Sequence, residues 1–230
     1  MDPRLRIPFA DIVKITRVRD VTVMHLGTDF VLGVACDSVG GIGAKLLDTV
    51  FADPFTVGYF ALRVSVMELI SLDFAPSLIV DPMCVEAGPY SDEILSGMKA
   101  LAAEIGLTDP RVFNGSTEDN VATAQTGVGV VALGMAHASE FAEVASRQEY
   151  ILAVTGVPKS APKHEVRMGD PEILSMQDLR WLRRQIGVAV ICSGRRVERR
   201  GKRWRRPDAC PVTTSLRRAR QSRPRDRQLA

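Results

Sequence analysis

Val21 to Leu26 and Phe30 to Cys36 are two runs rich in β-branched and aliphatic residues, and Gly27, Thr28 and Asp29 between them predict a hairpin with a three-residue loop. The second run ends at Asp37. A glycine-rich stretch follows (Gly40, Gly41, Gly43) and closes near Lys45, after which Asp53 and Pro54 read as N-cap and first-turn proline of a helix reaching about Leu72. Only Arg63 and Glu68 are charged within that helix, so most of its circumference should be buried. Ser77 to Val85 predicts a buried strand, and Ser91 a cap for a second helix whose apolar positions Ile94, Met98, Leu101 and Ile105 keep helical spacing up to a stop at Gly106. Beyond it the pattern predicts a short strand (Arg111 to Phe113), a polar turn (Asn114 to Asn120), a strand from Gly127 to Met135, a helix from about Ser139 to Arg147 and a strand from Ile151 to Thr155. Strands alternating with helices, one of them long and apolar, imply an α+β layer structure: a sheet covered by helices on one face. No internal repeat is visible.

Charge divides the chain. The formal net charge of +3 is the balance of an acidic body and residues 194–230, where 14 Lys/Arg against 3 Asp/Glu give +11. Such an arm attracts phosphate without any fold, but charge alone is a weak basis for a nucleic-acid partner. The abrupt change to Pro, Ser and Arg is also what GC-rich DNA read in a shifted frame would produce. We therefore divide the chain into a folded domain, residues 1–185, and an atypical tail, residues 186–230, expected to be disordered. The longest nearly apolar run, Val128 to Ala138, is too short for a bilayer, and the first residues lack the apolar core of a signal peptide, so a cytoplasmic protein with no membrane partner is expected. Cys36, Cys84, Cys192 and Cys210 are scattered, with no metal-ligand spacing.

Candidate chemistry is carboxylate chemistry. Glu68 falls on the apolar side of its helix and Arg63 is five residues away on another side, so this buried acid must meet a metal, a basic group from elsewhere or a cluster of amides. Asp37 stands where a strand gives way to the glycine-rich loop, and Asp20 and Asp48 are further acids that could converge with it. Carboxylates near one loop suit Mg2+, a hard cation that brings phosphates with it. Gly43 and Lys45 belong to a loop whose amides could approach phosphates, although it lacks the Gly-Lys-Ser/Thr ending of a nucleotide-binding P-loop. His25, His137 and His164 form no triad pattern, and no Gly-x-Ser-x-Gly elbow is present.

Together these pieces resemble the PurM-like, ATP-binding half of the aminoimidazole ribonucleotide synthetase superfamily, over about residues 11–185. Arg19-Asp20-Val21-Thr22-Val23 stands where its kinases carry Gly-Asp-Asp-Ala-Ala-Val, and Ala35-Cys36-Asp37-Ser38 with Gly43-Ala44-Lys45 is similar to Thr-Asp-Gly-Val-Gly-Thr-Lys. The helix from Asp53 through Met67-Glu68-Leu69 to Ala75-Pro76 resembles the family's long helix, with Glu68 in place of aspartate. Asn114-Gly115-Ser116-Thr117-Glu118 corresponds to Gly-Gly-Asp/Glu-Thr, with serine at the acidic position and Glu118 as the displaced acid. Met-Glu in the helix and Gly-Ser-Thr-Glu in the turn are similar to the α-ribazole kinase branch.

The resemblance implies ATP and Mg2+ as cofactors, with Asp20, Asp37, Glu68 and Glu118 as metal ligands and Asp37, Gly43, Lys45, Gly115, Ser116 and Thr117 at the nucleotide. It also implies a homodimer whose strands join in a shared barrel, and phosphorylation of the 5′-hydroxyl of α-ribazole, a small nucleoside-like substrate of cobalamin lower-ligand salvage. Another ATP-dependent enzyme of the superfamily, a thiamine-monophosphate kinase or an amidine-forming synthetase, is the nearest alternative. A non-catalytic dimeric scaffold is another, because the family's Gly-Ser-Lys-Gly-Ile-like ending is missing. No catalytic base is identified.

Overall fold

The computed structural model describes residues 14–27, 29–139, 157 and 159–184. A six-stranded mixed sheet carries the fold, in the order β1 (Lys14–Val18), β2 (Val21–His25), β3 (Phe30–Gly40), β8 (Gly127–His137), β6 (Ala75–Pro82), β7 (Phe113–Ser116). All neighbours run antiparallel except β6 and β7. A small parallel pair, β4 (Ile42–Gly43) and β5 (Val50–Phe51), lies in the loop after β3. Three helices complete it: α1 (Pro54–Ser71), α2 (Pro89–Glu104) and α3 (Met176–Arg183).

The α+β reading holds, and alternation along the strands explains which face is covered. Val21, Val23, Val31, Ala35, Ile79, Val128, Val130 and Ala132 point to one side and are buried under α1. The intervening residues lie on the other face, most of them half-buried and Cys36 and Met135 exposed. Asp53 caps α1 by accepting from the Thr56 amide at 2.8 Å, as its position predicts. Where α1 crosses α2, Gly58 and Gly97 let the backbones touch: a Cβ on Gly58 would lie 1.8 Å from the Ile94 carbonyl oxygen, and one on Gly97 1.9 Å from that of Phe55. α3 then fastens the segment before it to the helices, with Met176 and Leu179 fully buried, Arg183 ion-paired to Asp73, and Arg180 donating to the Glu104 carbonyl at the end of α2.

Several expectations need correction. The hairpin exists, but β1 adds a strand outside β2, so neither β2 nor β3 is an edge. α2 starts at Pro89 rather than after Ser91, whose hydroxyl sits in the first turn and accepts from the Gly88 amide at 3.1 Å. Pro110 bends residues 110–112 into a 3-10 turn, and the strand begins only at Phe113. The helix expected at 139–147, the strand at 151–155 and the tail from 186 lie outside the described residues, except for Ser139.

Candidate functional site

The C-terminal ends of β3, β6 and β7 point to the same end of the sheet, and most of the conspicuous residues gather there. Register places Asp37, Val130, Asp81 and Gly115 in one row. Asp37 pairs with Val130, Asp81 follows Val80 (paired with Val131) and so faces Val130 from the other side, and Asp81 pairs with Gly115. Two strand spacings put the Cα atoms of Asp37 and Asp81 about 10 Å apart.

Asp37 lines a chamber of about 510 Å³ between the end of β3, the β4–β5 loop, the outer side of α1 and the segment preceding α3. The size is that of a small-molecule site. Its walls are aliphatic and aromatic for the most part, with Val39, Val57, Phe60 and Met67 from the sheet and α1. Arg63 also reaches it, donating to the Leu174 carbonyl, and burial pulls its guanidinium below its ordinary pKa, partly opposed by Tyr59 and Glu104.

Glu68 is buried at 3% exposure, and its partner is a basic group from elsewhere: Arg19 donates to Oε2 at 3.0 Å. Arg19 occupies the β1–β2 turn with φ of 56°, which aims the side chain over α1. Asp20, next to it, is exposed. The β2–β3 ladder stops at Thr22–Val34, so this turn and Asp37 lie at the same end of that ladder. Among the described residues no three His, Cys, Asp or Glu side chains are grouped so as to hold a metal ion. Glu118 sits past β7, at the opposite edge of the sheet from the β1–β2 turn, where it accepts from the Asn120 amide at 2.9 Å.

The glycine-rich loop is closed on itself. Asp48 accepts from the Lys45 amide at 2.8 Å and from the Thr126 amide and hydroxyl at 2.8 and 2.7 Å. Burial pushes its carboxyl up, but the Thr126 and Lys45 bonds overcome this and hold it below its ordinary value. Tyr90 Oη accepts from the Ala44 amide at 2.9 Å and lies 2.6 Å from Thr126 Oγ1. Gly43 fits because it has no side chain: a Cβ would be 2.2 Å from Thr126 Oγ1 and 2.6 Å from Asp48 Oδ2. Lys45 pairs with Glu86, donates to the Thr123 carbonyl at 3.0 Å and lies over the Tyr90 ring. The hydrogen bonds from Lys45 and from the Thr123 amide hold Glu86 down to about 2. In this arrangement the amides of Gly41, Ala44, Lys45, Leu47 and Asp48 all donate within the protein. For Gly43 and Lys45 to meet a phosphate, some of these bonds must open.

The turn after β7 is similarly knitted in. The Ser116 carbonyl accepts from Met83 at 2.8 Å, and Thr117 donates to Asp119 at 2.9 Å. Gly115 has a different reason: a Cβ there would lie 2.6 Å from the Asp81 carboxyl. Asp81 was not singled out in the sequence. It is 2% exposed, its Oδ1 has no hydrogen-bond partner, and burial raises its pKa against the opposing effects of its own amide and Lys99. Alternation was the available signal, since Ile79 and Asp81 share the covered face.

No protein-family model and no curated protein matches the chain. Solved structures do. A thiamine-monophosphate kinase from Stenotrophomonas maltophilia is 16% identical over 55% of this chain and 38% of its own, with a TM-score of 0.35. The thiamine monophosphate kinase of Aquifex aeolicus is 17% identical over 53% and 39%, with a TM-score of 0.39. PurLQS from Thermotoga maritima is 15% identical over 59% and 23%, with a TM-score of 0.42. The chain therefore spans well under half the length of each, and at these values the likeness carries no statement about activity.

Proposed function

We propose that the chain is an ATP-dependent phosphotransferase acting on a small alcohol, with the 5′-hydroxyl of α-ribazole as the first acceptor to test. The observation that carries this reading is the gathering, at one end of one sheet, of segments far apart in sequence that resemble a nucleotide-dependent family, around a chamber of ligand size with Asp37 on its wall. Phosphoryl transfer asks chiefly for positioning and charge neutralisation, which such a place can supply without a strong base.

Mg2+ takes one or two protein carboxylates and completes its shell with phosphate oxygens and water, so a site without three grouped acids still fits it. Asp37 and Asp20 are the carboxylates that would hold it; Glu68 serves Arg19. When bound, the ion would supply charge neutralisation for the phosphates. Asp37, on the chamber wall, would then face the phosphate end.

A homodimer is part of the proposal. Among the described residues nothing covers the second face of the sheet, where Phe30, Met135 and Ile15 are exposed. An uncovered aliphatic sheet of this size favours a second copy across its face rather than along β2 and β3, which are interior strands. A second reading, a non-catalytic scaffold, is supported by the self-closed loop and by the Arg19–Glu68 pair. ADP formation with Mg2+ and α-ribazole, set beside thiamine monophosphate, separates the two readings and the two acceptors; no turnover with any acceptor leaves the scaffold.

A further inference from the structure

The chamber beside α1 shows a mismatch with phosphate that its residues make explicit. Its basic lining groups are Arg63, Lys159 and His164. Lys159 is neutralised twice, by Asp170 and Glu172, both at 2.6 Å. Arg63 gives one N–H to the Leu174 carbonyl and feels the negative charge of Glu104, and the Ser160 amide donates to His164 Nδ1 at 3.3 Å. Asp37 and Glu165, the latter paired with Arg167 at 3.1 Å, stand on the same walls. A polyphosphate entering here would compete with the two acids that already hold Lys159 and otherwise meet mostly apolar walls, so much of its desolvation would not be offset. Everything else on the walls suits an apolar body, and Thr56 and Ser160 offer hydroxyls to a neutral polar edge.

Phe51 points to the shape of that body. It lies on β5, lines the chamber and is nevertheless 83% exposed. Phe60, from α1, lines the same space. An aromatic ring left in water at a chamber mouth is poised to stack on a flat partner, which covers its face and the partner's together.

We propose that this chamber seats the flat, uncharged ring of a nucleoside, with Phe51 closing over it, and that phosphates lie outside it toward the β3 and β6 ends. The assignment rests on the phosphotransferase reading only for its purpose; the ring seat exists or fails by itself. The ring could be the base of the nucleotide or that of the acceptor, and both share this chemistry.

The test is equilibrium binding to the full chain by calorimetry without metal, using adenosine, a benzimidazole riboside, AMP and inorganic triphosphate. The expected result is that one of the two neutral nucleosides binds, that triphosphate in excess does not displace it, and that Phe51→Ala weakens it about tenfold or more while Phe51→Trp restores it. Adenosine as the binder assigns the seat to the nucleotide, the benzimidazole riboside to the acceptor. Phe51 is exposed, so its variants should unfold at the same urea concentration as the parent. Displacement by triphosphate, binding by neither nucleoside, or equal affinity in Phe51→Ala would overturn the assignment. Nucleoside binding without ADP formation would sink the phosphotransferase reading and leave the seat standing.

Discussion

Asp48 and Asp81 stand at the same end of one sheet, and the chain treats them in opposite ways. Asp48 is surrounded by donors, three of them within 2.8 Å, and its carboxyl is held below its ordinary value. Asp81 lies against the bare backbone of Gly115 with one oxygen unpartnered, and burial holds its carboxyl above that value. One acid ties a loop shut; the other is an energetic burden that the fold carries. The glycine-rich loop, the most conspicuous motif in the sequence, is thus occupied with its own closure. The chemistry still open lies in places with weaker signatures, the Asp81 row and the chamber beside α1.

The largest test of the contrast is Gly43→Ala, which drives a methyl into the Asp48–Thr126–Tyr90 group. It should cost about 3 kcal/mol or more in urea unfolding, because hydrogen bonds and packing fail together. An unchanged midpoint would mean that the loop is not closed as described. Asp48→Ala should cost about 2 kcal/mol at neutral pH by leaving two amides and a hydroxyl without their acceptor. A lowered carboxyl contributes stability that is present above its unfolded value of 3.8 and lost as pH falls through the folded one, so parent and variant should converge in strong acid.

Asp81→Asn should do the reverse. A raised carboxyl contributes stability that is complete below the unfolded value of 3.8 and lost as pH rises through the folded one. The variant should therefore be more stable than the parent by about 1 kcal/mol at pH 7 and no more stable in strong acid. A loss of stability at pH 7 would show that Asp81 has a partner of consequence when ionised. The smallest effect belongs to Glu86→Gln, which removes the acid paired with Lys45 and leaves its bond to the Thr123 carbonyl. The unfolding midpoint at pH 7 should fall only slightly, and affinity for ATP should rise if Lys45 meets phosphate; unaltered affinity would assign Lys45 to loop closure alone.

How much of this was legible follows from how local each feature is. The Asp53 cap, the α1 span and the β2–β3 hairpin depend on neighbours in sequence and read correctly. β1 did not, because Lys14-Ile15-Thr16-Arg17-Val18 is short and half polar, and only pairing with β2 defines it. The burial of Glu68 was readable from helical spacing, but its partner lies 49 residues away in a turn. Gly115 looked like a nucleotide glycine because its reason for being bare, Asp81, comes from a neighbouring parallel strand. Tertiary partners of this kind leave no spacing to read.

The central claim is that Asp37 and the chamber beside it serve phosphoryl transfer from ATP. The most direct measurement is acceptor-dependent ADP formation with Mg2+ by the full chain and by Asp37→Asn, each with its urea unfolding curve. The account predicts turnover with a small alcohol such as α-ribazole and a loss of about a hundredfold in the variant, with the unfolding midpoint little changed. Equal turnover in parent and variant, or ADP formation in neither with any acceptor, would contradict it.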